Sequence, residues 1–157
     1  MQLADSWRRS LVSGSAASVA SALVLAWSGL RELGSAAAPV NGPSQWVWGR
    51  GAPYRDDATL RHTLLGYAIH HGASLFWGLL FERLRRKAPQ DLPGTLAAAV
   101  TTTAIANVVD FRLTPDRLTP GFEKRLSHRA LFATYAAFAA GLFAGTLLAR
   151  RATTRAP

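Results

Sequence analysis

Chemistry near neutral pH would fall first to the four histidines, His62, His70, His71 and His128, because imidazole is the side chain whose ordinary pKa lies there. His70 and His71 are adjacent and stand near the centre of HTLLGYAIHHGASLFWGLLF, residues 62–81, a run with no charged side chain. Read as a helix, that run places them about 12 Å below the residue that opens it. Helical spacing aligns His62, Gly66, His70 and Ser74 on one stripe, and Tyr67 with His71 on the next. Neighbouring helical residues point about 100° apart, so His70 and His71 cannot both serve one ion in good geometry. The chain has no cysteine, which removes disulfides, zinc–thiolate sites and thiol catalysis. No nucleophile–base motif, phosphate loop or HExxH pattern is present. No catalytic residue is named.

The elements that must position these groups follow from where charge is missing. Residues 11–30, 62–81, 92–109 and 130–149 carry no Asp, Glu, Lys or Arg. Each run is long enough, or nearly so, to cross about 30 Å of hydrocarbon as a helix. The expectation is an all-α, polytopic four-helix bundle integral to a lipid bilayer, one membrane domain over residues 1–157, with loops 31–61 and 110–129 outside. The net charge of +9 brackets the apolar runs. That pattern reads as positive-inside topology rather than a nucleic-acid surface. Arg8, Arg9, the cluster Arg83 to Lys87, and Arg150, Arg151 and Arg155 fall on one side, so both termini are expected in the cytoplasm. The first run is longer than a signal-peptide core and Pro39 follows the Ala36-Ala37-Ala38 site, so the span is expected to stay uncleaved.

Depth then sorts the polar residues. A layer near mid-membrane collects His70, His71, Ser74, Thr101, Thr102, Thr103 and Ser21, with Tyr135 between it and an external layer. The external layer collects His62, Asn107, Asp110, Arg112 and His128. Three readings stay open. The histidines hydrogen bond to hydroxyls or backbone groups of neighbouring helices and set the register of a structural or accessory membrane protein. Alternatively, His62 and His128 ligate a haem b or a metal ion. In the third, His70 or His71 lines a proton or solute path whose mouth is Asp110 and Arg112. No cofactor is required by any motif.

Small residues recur every fourth position at Gly14, Ser18 and Ala22, at Ser13, Ala17 and Ser21, and at Ala133, Ala137, Gly141 and Gly145. Such faces let helices approach closely in lipid, where no hydrophobic drive exists between them. They are expected to serve packing, including association with a second copy or another membrane protein. Trp46 and Trp48 are expected at the membrane boundary. LTPDRLTP should form consecutive turns or start a helix at Thr119-Pro120, with a short interfacial helix over 122–128.

The order of landmarks resembles the YagU-like family of uncharacterised bacterial inner-membrane proteins. The resemblance rests on the small-residue first span, the Pro-rich loop, His71-x-x-Ser74-x-x-Trp77 followed by Glu82, and Thr-Pro ahead of a last helix introduced by Ser127-His128. It implies a bacterial inner-membrane location and supplies no activity and no catalytic residue.

Overall fold

Charge-free runs of this length can satisfy their backbone only as helices when lipid surrounds them, and the computed structural model shows four. It describes residues 2–154, with side chains from 7 to 150. The leader up to Ser6 and the topogenic residues Arg151 and Arg155 therefore lie outside the described side chains. Helix α1 runs over Gln2–Leu33, and two short helices, α2 (Ala37–Asn41) and α3 (Gln45–Trp48), follow in the first loop. The remaining long helices are α4 (Leu65–Lys87), α5 (Leu92–Val108) and α6 (His128–Thr154). No strand occurs among the described residues. Four segments, Trp7–Leu33, Leu60–Lys87, Leu92–Leu113 and His128–Arg150, are long and apolar enough to cross a membrane. The protein is a multi-pass all-α membrane bundle.

Each segment outruns its charge-free stretch because charged residues are accommodated at the ends. Long basic side chains there can extend to the headgroup level. At the C-terminal end of α4, Glu82 and Arg85 are buried and pair with each other, Arg85 Nη2 donating to Glu82 Oε2 at 2.8 Å and Nε at 3.1 Å. Arg85 also donates to Gln90 Oε1 at 3.0 Å, which ties the α4–α5 turn to the pair.

Helix α1 is the centre of the packing. Both of its small-residue stripes turn into the bundle: Ser13, Gly14, Ala17, Ser18 and Ser21 are all buried. A Cβ built on Gly145 of α6 would stand 2.5 Å from Ser13 Cα, and one on Gly78 of α4 would stand 2.8 Å from the Ser10 carbonyl oxygen. The faces expected to be free for association are thus occupied within the chain. Several buried hydroxyls satisfy themselves on their own helices, whereas those of Ser18 and Thr103 have no partner. Ser21 donates to the Ala17 carbonyl at 2.7 Å, Thr102 to Ala98 at 2.8 Å and Thr134 to Ala130 at 2.9 Å, the back-bonding open to Ser and Thr in helices. Ala17, Trp77, Phe81, Ala98, Ala99, Phe138 and Leu142 form an apolar cluster in the half of the bundle nearer the C-terminal end of α4.

The two long connections fold over the other end. Residues 37–45 are buried apart from half-buried Val40, and α4 meets this segment at Gly66, where any Cβ would collide with the Val40 carbonyl. The second connection is not the helix expected over 122–128. Gly121 adopts φ 85°, a conformation glycine tolerates, and its backbone lies against Gly42. Only one 3-10 turn, Phe122–Lys124, follows. Nor does a helix start at Thr119-Pro120; α6 starts after Ser127, whose Oγ accepts from Ala130 N at 3.2 Å and donates to Glu32 Oε1 at 2.7 Å. Single π-helical turns, Leu60–Leu64 and Val109–Leu113, occupy the ends of the second and third spans nearest these connections.

The close approach of α4 to residue 40 gives a paired test. Gly66→Ala should destabilise the chain by about 1–3 kcal/mol, the usual cost of overpacking. Gly72→Ala, with nothing within 4 Å of its Cβ, should be neutral or slightly stabilising through helix propensity. Thermal unfolding of both variants in detergent checks the contrast, and equal behaviour would contradict the packing.

Candidate functional site

Helices that cross at glycines on one side must diverge elsewhere, and the space between α1, α4, α5 and α6 forms a partly open cavity of about 70 Å³ beneath the folded connections. Its polar wall comes from Ser21, His70, Ser74, Asp110, Thr134 and Tyr135. Its apolar wall is mainly aromatic: Trp46, Trp77, Phe122 and Phe138. Trp77 and Phe138 also belong to the apolar cluster and so make the floor. The roof is built by Pro43 and Trp46 from the first connection and by Leu118, Pro120 and Phe122 from the second. Trp46 and Leu118 are the exposed lining residues and mark the mouth.

Two polar contacts organise the wall. Tyr135 OH donates to Asp110 Oδ2 at 2.6 Å, joining α6 to the π-helical turn after α5. His70 Nε2 lies 3.0 Å from Ser21 Oγ, joining α4 to α1. A serine hydroxyl has one proton, and the 2.7 Å bond to Ala17 uses that of Ser21. The imidazole is therefore the donor in the His70–Ser21 bond, which leaves Nδ1 of the neutral ring as an acceptor. Ser74 likewise uses its proton on the His70 carbonyl at 2.7 Å and keeps oxygen lone pairs free. The cavity wall is rich in acceptors and poor in free donors.

The structure redistributes the residues singled out from the sequence. From the mid-membrane set it brings His70, Ser74 and Tyr135 to the cavity, together with Ser21, and from the external set it brings Asp110. The remaining members do not join them. His71 stacks on Tyr67 with ring centroids 5.9 Å apart, off the cavity wall. Thr101 faces away from the bundle, because three consecutive helical residues fan out by about 100° each and only two can turn inward. Thr103 is buried on another side of α5, without a partner for its hydroxyl. Asn107 and Arg112 are exposed. The π-helical turn from Val109 adds a residue per turn and resets the register between them, so Asp110 alone reaches the interior.

His62 and His128 are not brought together. His62 Nδ1 lies 3.2 Å from Ser44 Oγ and its ring packs edge-on to Trp48, while His128 is exposed in the first turn of α6. Among the described residues no group of three or more His, Asp and Glu side chains stands close enough to hold a metal ion.

Several contributors carry no mark in the sequence. The two connections are locked by Gln45, whose Nε2 donates to the Thr119 carbonyl at 2.7 Å and whose Oε1 accepts from Lys124 Nζ at 2.9 Å. Trp46 Nε1 donates to the same carbonyl at 3.2 Å. Asp116 pairs with Lys124 at 3.1 Å and with Arg50 at 3.2 Å, and Arg125 pairs with Asp56. Trp48, expected at the boundary, donates to the Arg61 carbonyl at 2.9 Å and lies under its guanidinium. No family model, curated protein or solved structure matches this chain.

The roof has a titratable latch. The Lys124 hydrogen bond and charge, followed by Arg50, hold Asp116 below the usual carboxylate range. A carboxylate with a depressed folded pKa contributes stability above its unfolded value, and that contribution disappears as pH falls through the folded pKa. Hydrogen exchange over residues 116–126, corrected for intrinsic rates, should therefore accelerate only below about pH 4. Asp116→Asn should show the faster exchange already at neutral pH, and protection equal to the unmutated chain would contradict the latch.

Proposed function

We propose that this protein is a non-enzymatic accessory protein of the membrane that binds one small amphiphilic molecule in the roofed cavity. The observation that carries the reading is the lining of the cavity: aromatic side chains and a few convergent polar groups, brought together in a bundle of only four spans. Ligand sites have this composition, a mostly apolar lining with a few polar groups that orient the occupant. A purely structural role for the histidine stripe would have closed His70 against its neighbours. Instead, His70 holds Ser21 through Nε2 and also lines the cavity. The mouth at Trp46 and Leu118 lies where the roof meets the helix ends, which suits an occupant with an apolar tail that stays in lipid.

The conduit reading is supported less well. Below His70 and Ser74 the interior is Trp77, Phe81, Phe138 and Leu142, so a polar path does not continue towards Glu82 and Arg85. A haem or metal between His62 and His128 has no support in their surroundings. The orientation with both termini inside rests on the basic cluster Arg83 to Lys87. A bacterial inner-membrane location and membership of the YagU-like family rest on the sequence landmarks. Two of these have structural work, since Glu82 pairs with Arg85 and Ser127 caps α6.

Native mass spectrometry of the detergent-purified chain, titrated with ten-carbon amphiphiles of differing head group, tests the reading. One bound molecule per chain is expected. Ala73→Phe, which places a ring in the lining without disturbing a buried helix contact, should abolish that binding. Absence of a discrete bound species, or binding indifferent to Ala73→Phe, would overturn it.

A further inference from the structure

The charges around the cavity do not balance. Asp110 reaches the interior with one oxygen bonded to Tyr135, and no Lys or Arg forms an ion pair with it among the described residues. A second carboxylate, Glu123, stands near enough for its charge to act on both Asp110 and Tyr135. Its Oε2 is buried and has no hydrogen-bond partner. The cations beside it are directed elsewhere, Lys124 to Asp116 and Gln45, and Arg125 to Asp56. Asp110 thus lines the cavity with no ion-pair partner, while Glu123, half-buried on the neighbouring connection, adds a second negative charge nearby, an arrangement that favours an occupant carrying positive charge.

We propose that the occupant is an organic cation, an amphiphile whose head is a protonated amine. This rests on the cavity being a binding site and adds the chemistry of its ligand. Three features of the wall agree on that chemistry. The free polar atoms are acceptors, namely Asp110, Nδ1 of His70 and Ser74 Oγ, so the ligand must bring donors, and an ammonium brings three. Trp46, Trp77, Phe122 and Phe138 are among the lining residues, and aromatic rings attract a desolvated ammonium. No third carboxylate or imidazole stands close enough to complete a metal site, so an inorganic ion lacks its ligand set while an organic cation finds ring faces. The amine belongs to a lipid headgroup or to a free lipophilic amine, and the recognising atoms are the same for both.

The test compares decylamine with decanol on the detergent-purified full chain by native mass spectrometry, in a detergent without nitrogen. The amine should bind at least about tenfold more tightly, the effect of one desolvated charge contact. Asp110→Asn should remove most of that preference and Glu123→Gln a smaller part of it, both leaving decanol binding intact, which shows that the variants are folded. Equal binding of amine and alcohol, or an amine preference indifferent to both substitutions, would overturn the organic-cation assignment and leave the cavity reading standing. Failure of either molecule to bind would overturn both. Adding phosphatidylethanolamine separates the two sources within the proposal: displacement of decylamine assigns the site to a headgroup amine, and no displacement assigns it to a free amine.

Discussion

Backbone contact between α1 and its neighbours α4 and α6 is the constraint on which the rest depends. In hydrocarbon no hydrophobic force draws one helix to another, so association relies on close packing and internal hydrogen bonds. Ser10, Ser13 and Ala17 of α1 meet Gly78, Gly145 and Gly141 at distances that admit no side chain. The hydroxyls of Ser13, Ser21 and Thr146 bond to carbonyls of their own helices, which lets these polar residues occupy the seam with their donors satisfied. With α1 held by both partners, Ser21 comes within a hydrogen bond of His70. The cavity wall is a consequence of that seam.

The same contacts account for the asymmetry of the interior. Towards the Glu82–Arg85 end, Trp77, Phe81 and Leu142 fill the space between the helices. At the other end the helices leave room, and the two long connections occupy part of it. Their fit is made by a few contacts of high specificity: glycine against glycine at residues 42 and 121, and Gln45 against Thr119 and Lys124. A closed floor and a latched roof define a site reached from one side. This geometry suits binding more than passage. The π-helical turn that directs Asp110 inward is a local departure of the kind often found at functional positions.

The span architecture was legible in the sequence because hydrocarbon tolerates almost no unpaired charge, so four charge-free runs register directly as helices. Their ends were not legible, since residues such as Glu82 and Arg85 can be buried once their charges pair. Of the candidate site, His70, Ser74, Ser21, Tyr135 and Asp110 were all named, but depth alone assigned them to two separate layers. Rotation about the helix axis was the missing coordinate. It sends Thr101 outward and keeps Thr102 in, and at Asp110 it is altered by a π-helical turn that no residue type announces. The roof depends on Gln45 meeting Thr119 across 74 residues of chain. Nothing local to either residue encodes that meeting.

The central claim is that lipid surrounds the four helices and that the polar residues face a cavity within them. The chain contains no cysteine, so single cysteines carrying a nitroxide can be placed on the outward positions Leu23, Phe76, Val100 and Phe132, with Asp57 as the aqueous reference, in reconstituted bilayers. Collision rates with oxygen and with a water-soluble nickel chelate, read by electron paramagnetic resonance, measure the surroundings of each label. The account predicts that oxygen dominates at the four outward positions and the chelate at residue 57. Chelate-dominated collisions at Leu23, Phe76, Val100 and Phe132 would place those faces in water and contradict it.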